Sequence, residues 1–218
     1  MKRTATVFLS AALFSLGTAP VQADPAAGAK VFQAKKCNDC HYTDGPAREK
    51  TIADQLAKKG PELWYAGSKF QKAWLARWLQ DPKPIRPLKY NSLTEKNAGD
   101  HPKLAAPDAA AVTDFLMTRT SKDLKEGVIN PKMNPKGRLV FTKSMPCSGC
   151  HQFPGTKFTG GLNGPSLVAA GERLNPDWIF AYLKDTKAFK PVRQMPVFAG
   201  VLNEQDMQSV AEFVSTFK

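Results

Sequence analysis

The pattern Cys-x-x-Cys-His occurs twice in this chain, as Cys37-Asn38-Asp39-Cys40-His41 and as Cys147-Ser148-Gly149-Cys150-His151. Two thiols at this spacing, followed at once by an imidazole, form the attachment signal for c-type haem. Each thiol can add to a porphyrin vinyl group and become a thioether, and the histidine then ligates the iron. The four cysteines of the chain are all used by the two motifs. Other uses of Cys-x-x-Cys fit less well. A thioredoxin-like redox pair belongs in an alternation of strands and helices, and no clear strand run is present. Zinc held by two cysteine pairs needs the pairs closer than Cys40 and Cys147 are, and it leaves the two histidines unexplained. Plain disulfides stay open in an oxidising compartment. The motifs point to two covalent haems, bound through Cys37, Cys40, Cys147 and Cys150, with His41 and His151 on the irons.

The elements that must position these residues also come in two copies. Gly60-Pro61-Glu62-Leu63-Trp64-Tyr65-Ala66-Gly67 and Gly164-Pro165-Ser166-Leu167-Val168-Ala169-Ala170-Gly171 share Gly-Pro, Leu and Ala-Gly at the same offsets. Trp74 and Trp178, Leu79 and Leu183, and Asp81 and Asp185 continue the match, which makes an internal repeat. Gly28 and Phe32 precede the first motif as Gly137 and Phe141 precede the second. Apolar spacing predicts helices over 26–36, 70–80, 107–120, 137–143, 176–184 and 203–216. Asn203 reads as the cap of the last, with acidic Glu204 and Asp206 in its first turn. The stretch 122–135 has the Lys, Gly and Pro content of a linker. The division is therefore a first domain over 24–121, a linker over 122–135 and a second domain over 136–218, all-α throughout. Each domain is small for a side-chain core, and a covalent haem supplies a large apolar body to fold around.

On these residues the chain resembles the class I c-type cytochromes, and in particular their tandem di-haem members. The resemblance covers nearly all of the chain after residue 23. It implies that the first and last helices of each domain cross with the glycine at the contact. It also implies that the carbonyls of Pro61 and Pro165 accept a bond from His41 and His151, fixing each ring. In that family the distal methionine lies in a Met-Pro loop before the closing helix, which marks Met195 in Gln194-Met195-Pro196. The first domain departs from the pattern. Its gap-free counterpart of Met195 is Asn91, which is no ligand for iron. The segment from Tyr90 to Asp100 is longer, and His101-Pro102 then stands where Met-Pro stands in the second domain. His101 is the only histidine outside the motifs and is the expected distal ligand there, ahead of Met117 and Met133. Met207, on a helix, reads as a core methionine.

Residues 1–23 read as a cleaved secretory leader: basic Met1-Lys2-Arg3, an uncharged run from Thr4 to Gly17, and Val21-Gln22-Ala23 at the cleavage positions. The apolar run is short for a membrane span. Export agrees with haem attachment outside the cytoplasmic membrane, so a periplasmic protein is expected. The chain carries 31 Lys+Arg against 19 Asp+Glu, a formal charge of +12, and loss of Lys2 and Arg3 leaves +10. A basic surface suits a redox partner with an acidic docking face or an anionic membrane surface; export argues against nucleic acid. The expected function is an electron carrier with no catalytic residue. Two alternatives stand beside it: a haem enzyme or small-ligand binder with an open first haem, and the cytochrome subunit of a larger oxidoreductase complex.

Overall fold

Most of the helices begin where a polar side chain can hold the free amides of the first turn. The computed structural model describes residues 24–155, 159–192 and 195–218, so the expected leader over 1–23 lies outside the described residues. The Asp24 carboxylate accepts from the Ala26 amide at 2.9 Å and opens α1 (Pro25–Ala34). Thr51 and Asp54 form a reciprocal capping box on α2 (Ile52–Ala57). The short α3 (Ala66–Lys69) leads into α4 (Lys72–Gln80), and α5 (Ala106–Met117) closes the first half. Asn134 caps α6 (Pro135–Leu139), which runs on as a π-helical turn over Val140–Ser144. Two single turns follow, α7 (Cys147–Cys150) and α8 (Ala170–Arg173). Asn175 caps α9 (Pro176–Lys184) and Asp185 caps α10 (Thr186–Phe189). Asn203 caps α11 (Glu204–Val214), its Oδ1 2.8 Å from the Asp206 amide. Among the described residues every regular element is helical, and extended pairing is limited to isolated bridges. None of these helices is long and apolar enough to cross a membrane.

The six expected helices are present, shifted by a few residues at their ends. The single-turn helices α3, α7, α8 and α10 escape a periodicity reading because one turn shows no repeat of its apolar face. In the first half α1 lies across α5, and a Cβ on Gly28 would overlap the Ala111 carbonyl oxygen. In the second half α6 crosses α11 with Gly137 against the Ser209 carbonyl. The glycine lets two backbones approach at each crossing. Phe32, Leu75, Leu79, Val112, Phe115 and Leu116 form one apolar cluster, and Phe141, Trp178, Phe189, Val210 and Phe213 belong to the other.

The two halves meet through matching positions of the repeat. Phe70 and Leu174 pair as an antiparallel bridge. On either side, the Gln71 amide donates to the Arg173 carbonyl at 2.9 Å and the Asn175 amide to the Lys69 carbonyl at 2.8 Å. Phe70 faces its own counterpart, and the two flanking bonds are counterparts of each other, the pattern of an isologous two-fold contact made within one chain. Tyr65, fully buried, belongs to the second cluster and lies 5.2 Å from Phe189, ring to ring. The stretch with linker composition is also fastened. The amides of Gly127, Val128 and Ile129 donate to the Asp177 carboxylate at 2.7, 2.9 and 2.7 Å.

Candidate functional site

Each Cys-x-x-Cys-His motif closes one tight turn. The His41 amide donates to the Cys37 carbonyl at 3.0 Å, and the His151 amide to the Cys147 carbonyl at the same distance. The turn puts both thiols and the imidazole of a motif at one place. Nδ1 of His41 lies 2.7 Å from the Pro61 carbonyl oxygen, and Nδ1 of His151 lies 2.7 Å from that of Pro165. With Nδ1–H donating to a carbonyl, the lone pair is on Nε2, where a metal can take it. The preceding glycines make room for this. A Cβ on Gly60 would lie 2.7 Å from Cε1 of His41, and one on Gly164 would lie 2.5 Å from Cε1 of His151. Burial lowers the pKa of both rings; the proline carbonyls oppose it without reversing it. Both imidazoles are therefore neutral at pH 7, as a metal ligand must be.

His101 reaches the first motif from the loop between α4 and α5. Its ring centre is 6.2 Å from that of His41, tilted by 41°. Two imidazoles on opposite sides of one metal, each bonded at ~2.0–2.1 Å and with a ring centre ~1.1 Å behind the bonding nitrogen, would stand ~6 Å apart. Trp78 packs against His101 at 4.7 Å, ring to ring, and the Pro102 carbonyl lies 3.0 Å from its Nδ1. Burial lowers its pKa as well. Asn91 has a different task. In a left-handed conformation, φ 61°, its amide donates to the Gln55 and Lys58 carbonyls at 2.8 and 3.1 Å. It staples α2 to the long loop. Met195 is half-buried and packs on the second cluster. Met207 is buried in that cluster at 4 % exposure, whereas Met133 is 67 % exposed.

Several groups around the motifs carried no signal in the sequence. Glu62, next to Pro61, is 2 % exposed. It pairs with Lys58, with Lys190 at 2.7 Å, and accepts from the Tyr65 hydroxyl at 2.6 Å. Burial pushes its carboxyl up, but the two lysines overrule that and hold it at about 2. Arg173, 6 % exposed, donates to the Ser166 carbonyl at 2.7 Å. Burial and neighbouring cations bring the Lys69 ammonium down to about 7, although Glu62 pulls the other way. Among the described residues no carboxylate pairs with Arg173 or Lys69. The buried indole N–H groups of Trp64 and Trp178 have no protein acceptor there either. Lys69 is half-buried over the Tyr65, Phe70 and Trp178 rings, and Arg173 is buried. A buried cation and buried donors of this kind suit a ligand that carries its own carboxylates, and a haem with its two propionates is such a ligand. The residues present fit that group.

The rival uses of the cysteines fare worse. Burial raises the Cys147 thiol to about 11, opposite to the depressed thiol of a reactive redox pair. Among the described residues no two of the four cysteines are joined as a disulfide, and no three His, Cys, Asp or Glu side chains converge as a metal cage.

Residues 133–214 match the family described as cytochrome C oxidase, cbb3-type, subunit III. The matched segment spans α6 to α11 and holds the second motif and Met195. The match supports a cytochrome c domain in this segment, a kind of domain that holds haem c covalently. No curated protein matches the chain.

Proposed function

We propose that the chain is an exported di-haem electron carrier, with a second cytochrome c domain over 24–121 beside the matched one. The observation that carries this reading is the identical build of the two motifs, each with Nδ1 of its histidine 2.7 Å from the carbonyl of the repeated proline. Haem iron supplies the reversible one-electron step. His41 and His151 would hold the two irons, and the Pro61 and Pro165 carbonyls fix the imidazole ring planes and raise the basicity of the free nitrogens. His101 takes the far side of the first site, supported by its 6.2 Å spacing from His41. Met195 takes the far side of the second, supported by its place in the loop before α11. A thioether favours ferrous iron more than an imidazole does, so the second site has the higher potential. Electrons would enter at the first site and leave from the second. The short leader over 1–23 and the requirement for haem attachment outside the cytoplasmic membrane support a periplasmic location. The charge of +12 supports partners with acidic docking faces.

The purified protein tests the reading. Its intact mass is expected to exceed that of the polypeptide by two haems, which acid-acetone does not extract. Its oxidised spectrum is expected to be low-spin at both irons, with one thioether-to-iron band. A single haem, or bound zinc, refutes the reading. A high-spin iron in the untouched protein favours ligand binding at the first site instead.

A further inference from the structure

Arg86 follows Gly60-Pro61 at the same interval at which Lys190 follows Gly164-Pro165. These two cations reach in opposite directions across the contact between the halves. Lys190, at the end of α10, binds Glu62 at 2.7 Å, and Glu62 adjoins Pro61, whose carbonyl holds His41. Arg86, in the first half, donates to the Asn163 carbonyl at 2.8 Å, two residues before Pro165, whose carbonyl holds His151. Next to each cation the chain backs the same loop. Ile85 accepts from the Ser166 amide at 2.7 Å, and Phe189, with no exposed surface, packs on Trp64 and Tyr65. The loop that orients each histidine is thus held from the other half of the molecule.

We infer that Arg86 and Lys190 are reciprocal positioning residues, each setting the proximal histidine and the local charge of the haem in the opposite half. The inference rests on the di-haem reading above. Its physical basis is short-range electrostatics in a buried site. Glu62 is an anion at 1 % side-chain exposure, and Lys190 compensates it where the dielectric is low and water cannot. Without Lys190 the carboxylate keeps only Lys58, which it shares with Glu49, and the excess negative charge favours the ferric state of the first haem. Without Arg86 a cation is lost beside His151, and ferric iron gains in the second half. The repeat differs at one telling position. Glu62 makes the first contact an ion pair, whereas its counterpart Ser166 leaves Arg86 to a backbone carbonyl. The effect is therefore larger for Lys190.

The test is potentiometric titration of the haem-loaded full chain, with the thioether band marking the second haem. Lys190→Met is expected to lower the potential of the first haem and leave the second unchanged. Arg86→Met is expected to lower the second and leave the first unchanged. Spin-resonance g-values are expected to shift at the same single haem in each variant, since they report ring orientation. Lys190→Arg and Arg86→Lys are expected to keep wild-type values. A shift confined to the variant's own half, an equal shift at both haems, or no shift overturns the inference. If Lys190→Met does not accumulate, Lys190→Gln is titrated and judged by the same outcomes. A wild-type protein with one haem refutes the di-haem reading instead, so the two failures are distinguishable.

Discussion

On the proposed reading His101 decides what the first site can do. An imidazole at its spacing from His41 would complete the coordination of one iron and shut out small ligands, because a six-coordinate iron offers no open position. His101→Ala is expected to open the first haem alone. The variant is expected to show a high-spin signal and rapid carbon monoxide binding, while the thioether band of the second haem persists. Rapid-mixing absorbance with carbon monoxide checks this. An unchanged low-spin spectrum would give the far side of the first iron to another residue. At this scale the closed turns of the two motifs were legible because they depend on spacing along the chain. The approach of His101 to His41 was legible only as a substitution in a repeat. Glu62 and Lys190 were not legible at all, since an ion pair between residues so far apart in sequence leaves no local trace.

At the scale of elements, α10 matters beyond its four residues. It is a single turn capped by Asp185, with Phe189 fully buried between Trp64, Tyr65 and Trp178. Most of its value lies in that aromatic contact, because so short a helix has little stability of its own. Phe189→Ala is expected to cost about 3–5 kcal/mol of unfolding free energy. Ile52→Ala, at a side chain 72 % exposed on α2, is expected to stay within about 0.5 kcal/mol. Chemical denaturation of both variants checks the contrast, and equal losses would remove α10 from the interface. The long helices could be read in advance because their apolar positions recur over two or more turns. The crossing of α1 with α5, and of α6 with α11, was expected from the family resemblance that the shared glycine and aromatic help to carry.

For the whole molecule, the buried cluster of Glu62, Lys58, Lys190 and Tyr65 ties acid stability to the contact between halves. Burial alone would raise the Glu62 carboxyl, but the two lysines hold it at about 2, below the ~4.3 of an unfolded glutamate. A group depressed in the folded state stabilises fully above its unfolded pKa, and that contribution is lost as pH falls through the folded one. The window here is about pH 4.3 down to 2, and the contribution is on the order of 3 kcal/mol. Glu62→Gln is expected to be less stable than wild type at pH 7 and to lose less stability across that window. Unfolding midpoints measured between pH 7 and pH 2 check both. Parallel curves for the two proteins would place the acid sensitivity elsewhere.

The sequence by itself determined the parts: two Cys-x-x-Cys-His motifs, a repeated Gly-Pro, a helix before and after each, and a methionine and a histidine in matching loops. These are short-range properties, set by covalent spacing and by the period of a helix. The tertiary structure alone decided how the halves face each other. Phe70 meets Leu174 across an internal two-fold, the linker-like stretch docks on Asp177, and each half holds the other's proline loop. Such contacts depend on shape and charge over surfaces assembled from distant segments, and no local pattern of residues specifies them.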